Sequence, residues 1–324
     1  MRRREFLKGL ATLPSSVYAS QKLTSRRSAS PLTRFKLGAI SDGFSADFEQ
    51  ALKILQSYNL SWVEIRAVWG KYNTELTPAE IQRIRDLLEK YDFRCSVVDT
   101  ALFKCVLPGT KPVQGEKDIY PYAGQMDLLR RAMERAHAWG TDKVRGFTFW
   151  RVAEPEKNFP RIAEELDKAA AVAKSEGVRL VIENESICDA ATGRELAGVL
   201  KLVRETNVGA NWDVGNGYWH GEAAFPDGYR ALDKKRIWHM HLKGVSCAAG
   251  FKDCRETIAG EGQNDLTGQL RALLRDDYQG TMSLECEFEA PRLSHLETTR
   301  RSLEGLLQAV SKALAMEGVQ GRQS

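Results

Sequence analysis

Strand-like and helix-like segments alternate eight times along this sequence of 324 residues, and this regular alternation limits the fold more than any other feature. The strand-like runs are short and apolar, as in "RLVIE" at 179–183, and each precedes a run with apolar residues at helical spacing. Thr77, Pro78 and Glu80 have the spacing of a helix start with a capping box. Because strands joined by crossover helices run parallel, eight such units predict a closed (β/α)8 barrel.

The barrel is predicted to be a single α/β domain with the TIM barrel architecture over residues 35–316. Residues 1–34 are interpreted as an export signal followed by a flexible linker, and residues 317–324 as a disordered carboxyl-terminal tail. A hydrophobic content of 43% is ample for one large core. No glycine-rich phosphate fingerprint opens the first unit, which argues against a dinucleotide-binding fold.

The first residues, "MRRREFLKGLATLPSSVYAS", combine a charged start, a short apolar stretch and a cleavage pattern that ends at Ala19. Arg3 and Arg4 give "RRREFLK" a resemblance to the twin-arginine signal, although Arg2 stands where that signal usually has Ser or Thr. The stretch is too short to span a bilayer, so we expect no stable membrane anchor. We therefore expect the twin-arginine machinery to export a periplasmic or secreted protein, cleaved after Ala19. A disordered basic tail is the alternative.

Net charge excludes one class of partner. Residues 1–19 contribute a net charge of +3 to the total of +4, so the remaining body is nearly neutral. A near-neutral body lacks the basic surface that nucleic acid requires, and we expect no nucleic-acid partner. The six cysteines contain no CxxC pair, and the sequence leaves open whether Cys247 and Cys254 form a disulfide within their loop.

Ionisable side chains lie at four consecutive predicted strand ends, on the face of a barrel where chemistry takes place. These residues, from strands five to eight, are Glu183, Asp213, His241 and Glu285. Taken singly, a residue of this kind at a strand end is more often a solvated loop residue, or a core residue that is hydrogen-bonded to the backbone. Together at one apolar mouth they would repel one another unless a cation bound there. Three carboxylates and one imidazole favour one divalent ion, Mn²⁺ first, then Mg²⁺ or Co²⁺, with Zn²⁺ less favoured.

Five motifs together resemble the sugar-phosphate isomerase/epimerase superfamily, the xylose isomerase-like TIM barrels, over roughly residues 35–310. In chain order they are "LVIENES", "GANWDVGNGYWHG", "IWHMHLKG", "IAGEGQND" and "YQGTMSLECEFE". The resemblance implies a metal-dependent isomerase or epimerase of a small carbohydrate, with the four strand-end residues as ligands. It also implies that Glu183 and Glu285 are the catalytic acid/base pair, moving a proton through an enediolate. Glu185 and Glu287 share their faces and remain alternatives.

Further residues around the strand ends are candidate contacts to the substrate. They are Glu64, Trp69, Glu185, Asn216, His239, Lys243 and Arg255. Glu185 and Asn216 stand where members of the family often have His, and Gly244 stands where the usual motif has Asp. Because these departures lie around the substrate, they leave the substrate less certain than the metal site. An exported enzyme is expected to meet a free sugar, a polyol or an oxidised sugar derivative rather than a sugar phosphate.

Two other functions compete with this interpretation. An endonuclease-like or hydrolytic barrel that binds a metal cluster needs several histidines, and the chain has five in total, only some of them near strand ends. A non-catalytic periplasmic sugar-binding protein needs no proton-transfer pair, which leaves the four strand-end residues unexplained. The sequence leaves open the substrate, the native metal, a homo-oligomeric state, and the choice among epimerisation, isomerisation and dehydration.

Overall fold

The structure, a computed structural model, describes residues 34–320. The predicted export signal with its cleavage after Ala19, most of the linker, and residues 321–324 lie outside the described residues. Within 34–320, no helix has the length and apolar character needed to cross a membrane.

Eight parallel strands form one sheet that curves back on itself. The strands are β1 Lys36–Ala39, β2 Trp62–Ile65, β3 Arg94–Leu102, β4 Lys143–Gly146, β5 Arg179–Glu183, β6 Val208–Asp213, β7 Ile237–Leu242 and β8 Thr281–Leu284. Their order in the sheet is β1-β8-β7-β6-β5-β4-β3-β2. A parallel bridge between Ile40 and Glu64 joins the first strand to the second and closes the circle. The predicted (β/α)8 barrel is therefore confirmed.

The connecting helices surround the sheet. They are α1 Phe48–Ser57, α2 Pro78–Tyr91, α3 Gln125–Trp139, α4 Phe159–Ser175, α5 Gly193–Leu202, α6 Tyr229–Ala231, α7 Leu266–Arg275 and α8 His295–Gln320. The capping box of α2 forms as its spacing predicts, since Thr77 Oγ1 accepts from the Glu80 N–H and Glu80 Oε2 accepts from the Thr77 N–H. The sixth helix is only three residues long. Pro226 lacks an N–H and Gly228 is a poor helix former, and both lie in the turn just before it.

The last helix extends beyond the predicted end of the domain. Residues 317–320 are helical, in contrast to the disordered tail predicted from residue 317 onwards. Ala315, Met316 and Glu317 are strong helix formers, and the single Gly318 costs only about 1 kcal/mol relative to alanine. Local propensity therefore lets the helix run on past the last apolar contact with the barrel.

Strand register determines which side chains share the interior of the barrel. Asp213 on β6 lies beside His241 on β7, and Asn211 lies beside His239 one step below. Since side chains alternate along a strand, these four point to the same face. The barrel interior is consequently polar near the carboxyl ends of its strands.

A two-stranded hairpin occupies the long loop after β7. Its strands, Gly244–Ala248 and Lys252–Thr257, pair antiparallel, and a disulfide between Cys247 and Cys254 connects them. At the hairpin turn, the ring of Phe251 lies 5.7 Å from that of Tyr218 in the loop after β6. The hairpin is thus held at the rim of the barrel mouth.

Candidate metal centre and active site

The four predicted ligands converge. Glu183, Asp213, His241 and Glu285 each offer an atom within 4.8 Å of the others, and none is more than 4% exposed. His241 Nδ1 lies 3.0 Å from Glu183 Oε1 and 3.2 Å from Glu285 Oε2. Four side chains from four consecutive strands therefore form one buried cluster at the carboxyl end of the barrel.

Asp213 has one carboxylate oxygen with hydrogen bonds and one without. Its Oδ1 accepts hydrogen bonds of 2.7 Å from the backbone N–H groups of Gly215 and Asn216. Its Oδ2 is buried and accepts no well-aligned hydrogen bond, although Lys243 Nζ is 3.1 Å away. Burial raises the pKa of the Asp213 carboxyl to about 7, with Lys243 opposing the shift. A cation would stabilise a buried oxygen that lacks a well-aligned hydrogen bond and lies among other carboxylates.

Positive groups of the chain compensate part of the negative charge. Lys243 Nζ lies 2.7 Å from Glu285 Oε2, and Arg145 Nη1 donates to Glu183 Oε2 at 2.9 Å. Burial disfavours a charged imidazole, but Glu183 and Glu285 outweigh it and raise the pKa of His241 well above its usual value. These carboxylates therefore favour the protonated imidazole, and a metal ion bound to His241 would compete with that proton.

The donor set fits one divalent cation. Three carboxylates supply hard oxygen ligands, and His241 Nδ1 supplies one borderline nitrogen. The same four groups carry an excess of negative charge in a buried space, which a divalent ion offsets. Glu183, Asp213, His241 and Glu285 are the residues that would hold it.

Glu64 and His239 occupy a place other than the open mouth expected of substrate contacts. Both are fully buried beneath His241. Glu64 lies 2.8 Å from His239 Nε2 through one oxygen and 3.2 Å from His241 Nε2 through the other. A carboxylate on the far nitrogen of a ligating histidine fixes the tautomer that leaves the near nitrogen free for metal. At this location Glu64 is placed to support His241 and to hold His239 beside it.

We predict that Glu64→Gln weakens binding of Co²⁺ or Mn²⁺ by about 10–100-fold, because loss of this partner releases the His241 ring. Isothermal titration of the metal-free protein measures the affinity directly. Glu222→Gln is the matched control, since Glu222 is also a buried carboxylate but accepts from the Gly193 N–H, outside the cluster. Equal affinities for wild type and Glu64→Gln would contradict a supporting role.

Two other predicted substrate contacts lie next to the cluster. Glu185 is close to the rim, 2.8 Å from Lys104 Nζ. Burial alone would raise the pKa of the Glu185 carboxyl, but Lys104 outweighs burial and lowers it to about 2. Asn216 is buried and its side chain donates to the Asn184 carbonyl at 2.9 Å. In this structure Asn216 therefore organises the loop after β6.

Within residues 34–320, neither Trp69 nor Arg255 forms a hydrogen bond or an ion pair with the four ligands. Trp69 is half-buried, and its ring packs 4.5 Å from the guanidinium of Arg83 on α2. Arg255 is exposed on the second strand of the hairpin. Lys243, in contrast, lies inside the cluster. The structure thus brings Lys243 and Glu185 close to the ligands and leaves Trp69 and Arg255 outside.

Two charged residues that the sequence interpretation did not select belong to the site. Arg145 on β4 contacts Glu183, and it also pairs with Asp99 on β3. A signal for Arg145 was present in "KVRGFTF", where one arginine interrupts a strand buried on both faces. A buried charge needs a partner, so such an arginine predicts a carboxylate inside the barrel.

Comparisons with known proteins agree with this fold. The sequence profile of the family described as "Xylose isomerase-like TIM barrel" matches residues 52–309. Inosose dehydratases from two strains of Clostridium perfringens are 26% identical over 157 residues, which cover 44% of this chain and 52% of theirs. The chain spans about half the length of these curated relatives.

Three solved structures superpose closely on the barrel. A protein named IOLI, with a binding zinc atom, has a TM-score of 0.66 at 17% identity, covering 86% of this chain and 99% of its own. A D-tagatose 3-epimerase-like protein gives 0.64 at 17%, covering 86% and 98%. A xylose isomerase-like protein from Mycobacterium smegmatis, in complex with magnesium, gives 0.64 at 16%, again covering 86% and 98%. At these identities the likeness establishes the fold.

Proposed function

Given that the chain belongs to the xylose isomerase-like TIM barrel family, we propose that it is a metal-dependent isomerase or epimerase of a small carbohydrate. The observation that carries the proposal is the pair of buried glutamates, Glu183 and Glu285, which both contact His241 Nδ1, at 3.0 and 3.2 Å. Two carboxylates held close together in one small site can remove and return a proton on a substrate bound there.

Proton transfer is assigned to these two residues. A divalent cation supplies polarisation of the substrate carbonyl and compensation of the enediolate charge. Glu183 removes the proton from the carbon next to the carbonyl and becomes protonated, and Glu285, in its protonated form, delivers a proton to the opposite face or to the neighbouring carbon. Proton exchange with water then returns both side chains to their starting forms. Lys243, 2.7 Å from Glu285 Oε2, keeps that carboxylate oriented while it exchanges protons.

Dehydration is the second candidate reaction. It is favoured by the likeness to inosose dehydratases, which covers 44% of this chain. Loss of water next to a carbonyl begins with the same proton removal, so Glu183 would serve both reactions. The two differ in the fate of the enediolate, which either takes back a proton or expels a hydroxyl group.

The charges around the mouth favour a substrate without a phosphate group. Four cations beside the ligand cluster are each within 3.1 Å of a carboxylate of the described chain: Arg66, Lys104, Arg145 and Lys243. A phosphate group needs cations that are free to bind it. We therefore propose a free sugar, a polyol-derived ketone or an oxidised sugar, with Mn²⁺ as the cation because the ligand set is rich in oxygen.

The test is a panel of free sugars and sugar acids, each beside its phosphate ester where one exists, incubated in deuterated water with Mn²⁺. Deuterium next to the carbonyl of an unphosphorylated compound supports the proposal, and a dehydrated product identifies the second candidate. Exchange with phosphate esters alone would refute the substrate class. A lack of exchange together with a lack of stoichiometric metal would favour a sugar-binding protein.

We also propose export by the twin-arginine pathway, on the strength of Arg3 and Arg4. The Cys247–Cys254 disulfide supports an oxidising compartment, where such bonds persist. We predict that Arg3→Lys combined with Arg4→Lys leaves the protein in the cytoplasm, as measured by cell fractionation. The matched control changes Arg26 and Arg27 to lysine. Normal export of the first double variant would refute the signal, and mature protein should begin at Ser20.

A further inference from the structure

Arg145 lies close to both residues of the proposed acid/base pair, although the sequence pattern at the strand ends gave it no role. It lies on β4, is 5% exposed, and one terminal nitrogen donates to Glu183 Oε2 at 2.9 Å. The same nitrogen is 3.8 Å from Glu285 Oε1. One guanidinium thus lies beside both carboxylates of the proposed acid/base pair.

The two oxygens of Glu183 have different partners. Oε2 accepts from Arg145, whereas Oε1 faces His241 Nδ1 at 3.0 Å. A carboxylate can bind a cation through one oxygen or through both. A charge-assisted hydrogen bond to Oε2 favours the arrangement in which only Oε1 is available.

Arg145 is itself anchored. Its second terminal nitrogen pairs with Asp99 on β3, which is fully buried. Its guanidinium lies 4.7 Å from the ring of Phe147, which supports the flat side of the group. An arginine can reach Asp99 and Glu183 at once because its nitrogens form a rigid planar fork, which a lysine does not have.

We propose that Arg145, anchored by Asp99, is a positioning residue that holds the Glu183 carboxylate in a single orientation with Oε1 towards the cation. This inference rests on the proposed function. It assigns Arg145 no contact with substrate, so its loss should disturb the metal ligands and the rate of proton transfer while substrate affinity stays the same.

The experiment compares Co²⁺-substituted wild type with Arg145→Met. We expect the variant to show a changed intensity of the visible Co²⁺ bands, because a released Glu183 can offer its second oxygen and alter the coordination. We also expect kcat for substrate proton exchange to fall by about 10–100-fold with KM unchanged, since small misplacements at such sites have effects of that size. Arg135→Met is the matched control, because Arg135 is also buried but donates to the backbone carbonyls of Asn73 and Leu76.

Asp99→Asn provides a second test if Arg145→Met does not fold, because it removes the anchor while preserving size. Unchanged Co²⁺ bands and unchanged kcat in a folded variant would overturn the inference alone. A raised KM with normal kcat would also overturn it, because Arg145 would then contact substrate. Wild type that binds no Co²⁺ would overturn the metal centre of the proposed function, and this inference with it.

Discussion

Replacing Glu183 with glutamine is expected to abolish exchange of the substrate proton, with a fall in rate of roughly 10²–10⁴-fold. Glutamine preserves the size of the side chain and can still accept the hydrogen bond from Arg145. Its amide cannot take up a proton, so the first step of the reaction is lost. The measurement is deuterium incorporation next to the substrate carbonyl, by mass spectrometry, with protein loaded with Mn²⁺.

Glu185→Gln is the matched control, two residues further along the same chain segment. Glu185 pairs with Lys104 at the rim and is outside the four proposed ligands. We therefore expect this variant to retain kcat and to change KM or substrate preference. Inactive Glu185→Gln with active Glu183→Gln would reassign the base to Glu185. Normal activity in both variants would mean that neither glutamate carries out proton transfer.

The barrel and its four converging side chains were predictable for one shared reason. Alternating strands and helices imply parallel pairing, and the carboxyl ends of parallel strands in a barrel meet at one mouth. Four consecutive strands carry these side chains at or next to their carboxyl ends, so the proximity of the four needed no information on side-chain packing. They are Glu183, Asp213, His241 and Glu285. Their clustering within 4.8 Å is the consequence of that topology.

The partners of these residues required the structure. Glu64 and His239 belong to strands far apart in the sequence, and only barrel closure brings them into contact. The sequence shows that Arg145 is a charged residue within a strand. It does not show that its partners are Asp99 and Glu183 rather than other carboxylates. The residues that support the site are more deeply buried than those that face its opening. The pattern of a single sequence does not show how deep in the barrel a side chain lies.

Asp213→Asn is expected to weaken metal binding by more than about 100-fold, exceeding the effects typical of residues that only support a ligand. Asparagine retains the acceptor for the Gly215 and Asn216 N–H groups, so the loop after β6 should remain in place. The variant loses the charge of the second oxygen, Oδ2. Metal content measured by inductively coupled plasma mass spectrometry after dialysis against Mn²⁺ gives the result.

The same substitution should stabilise the metal-free barrel at alkaline pH. The pKa of the Asp213 carboxyl rises from 3.8 to about 7 on folding, mainly through burial, so between these values the folded state holds a proton that the unfolded state has released. The contribution of Asp213 to the stability of the metal-free wild type is therefore lost as pH rises from about 4 to about 7. Asparagine cannot ionise, so at pH 8 the metal-free variant should have the higher Tm, and this advantage should vanish below pH 4. Lower Tm for the variant at pH 8, or retention of stoichiometric metal, would show that Asp213 is held by the protein alone and is no ligand.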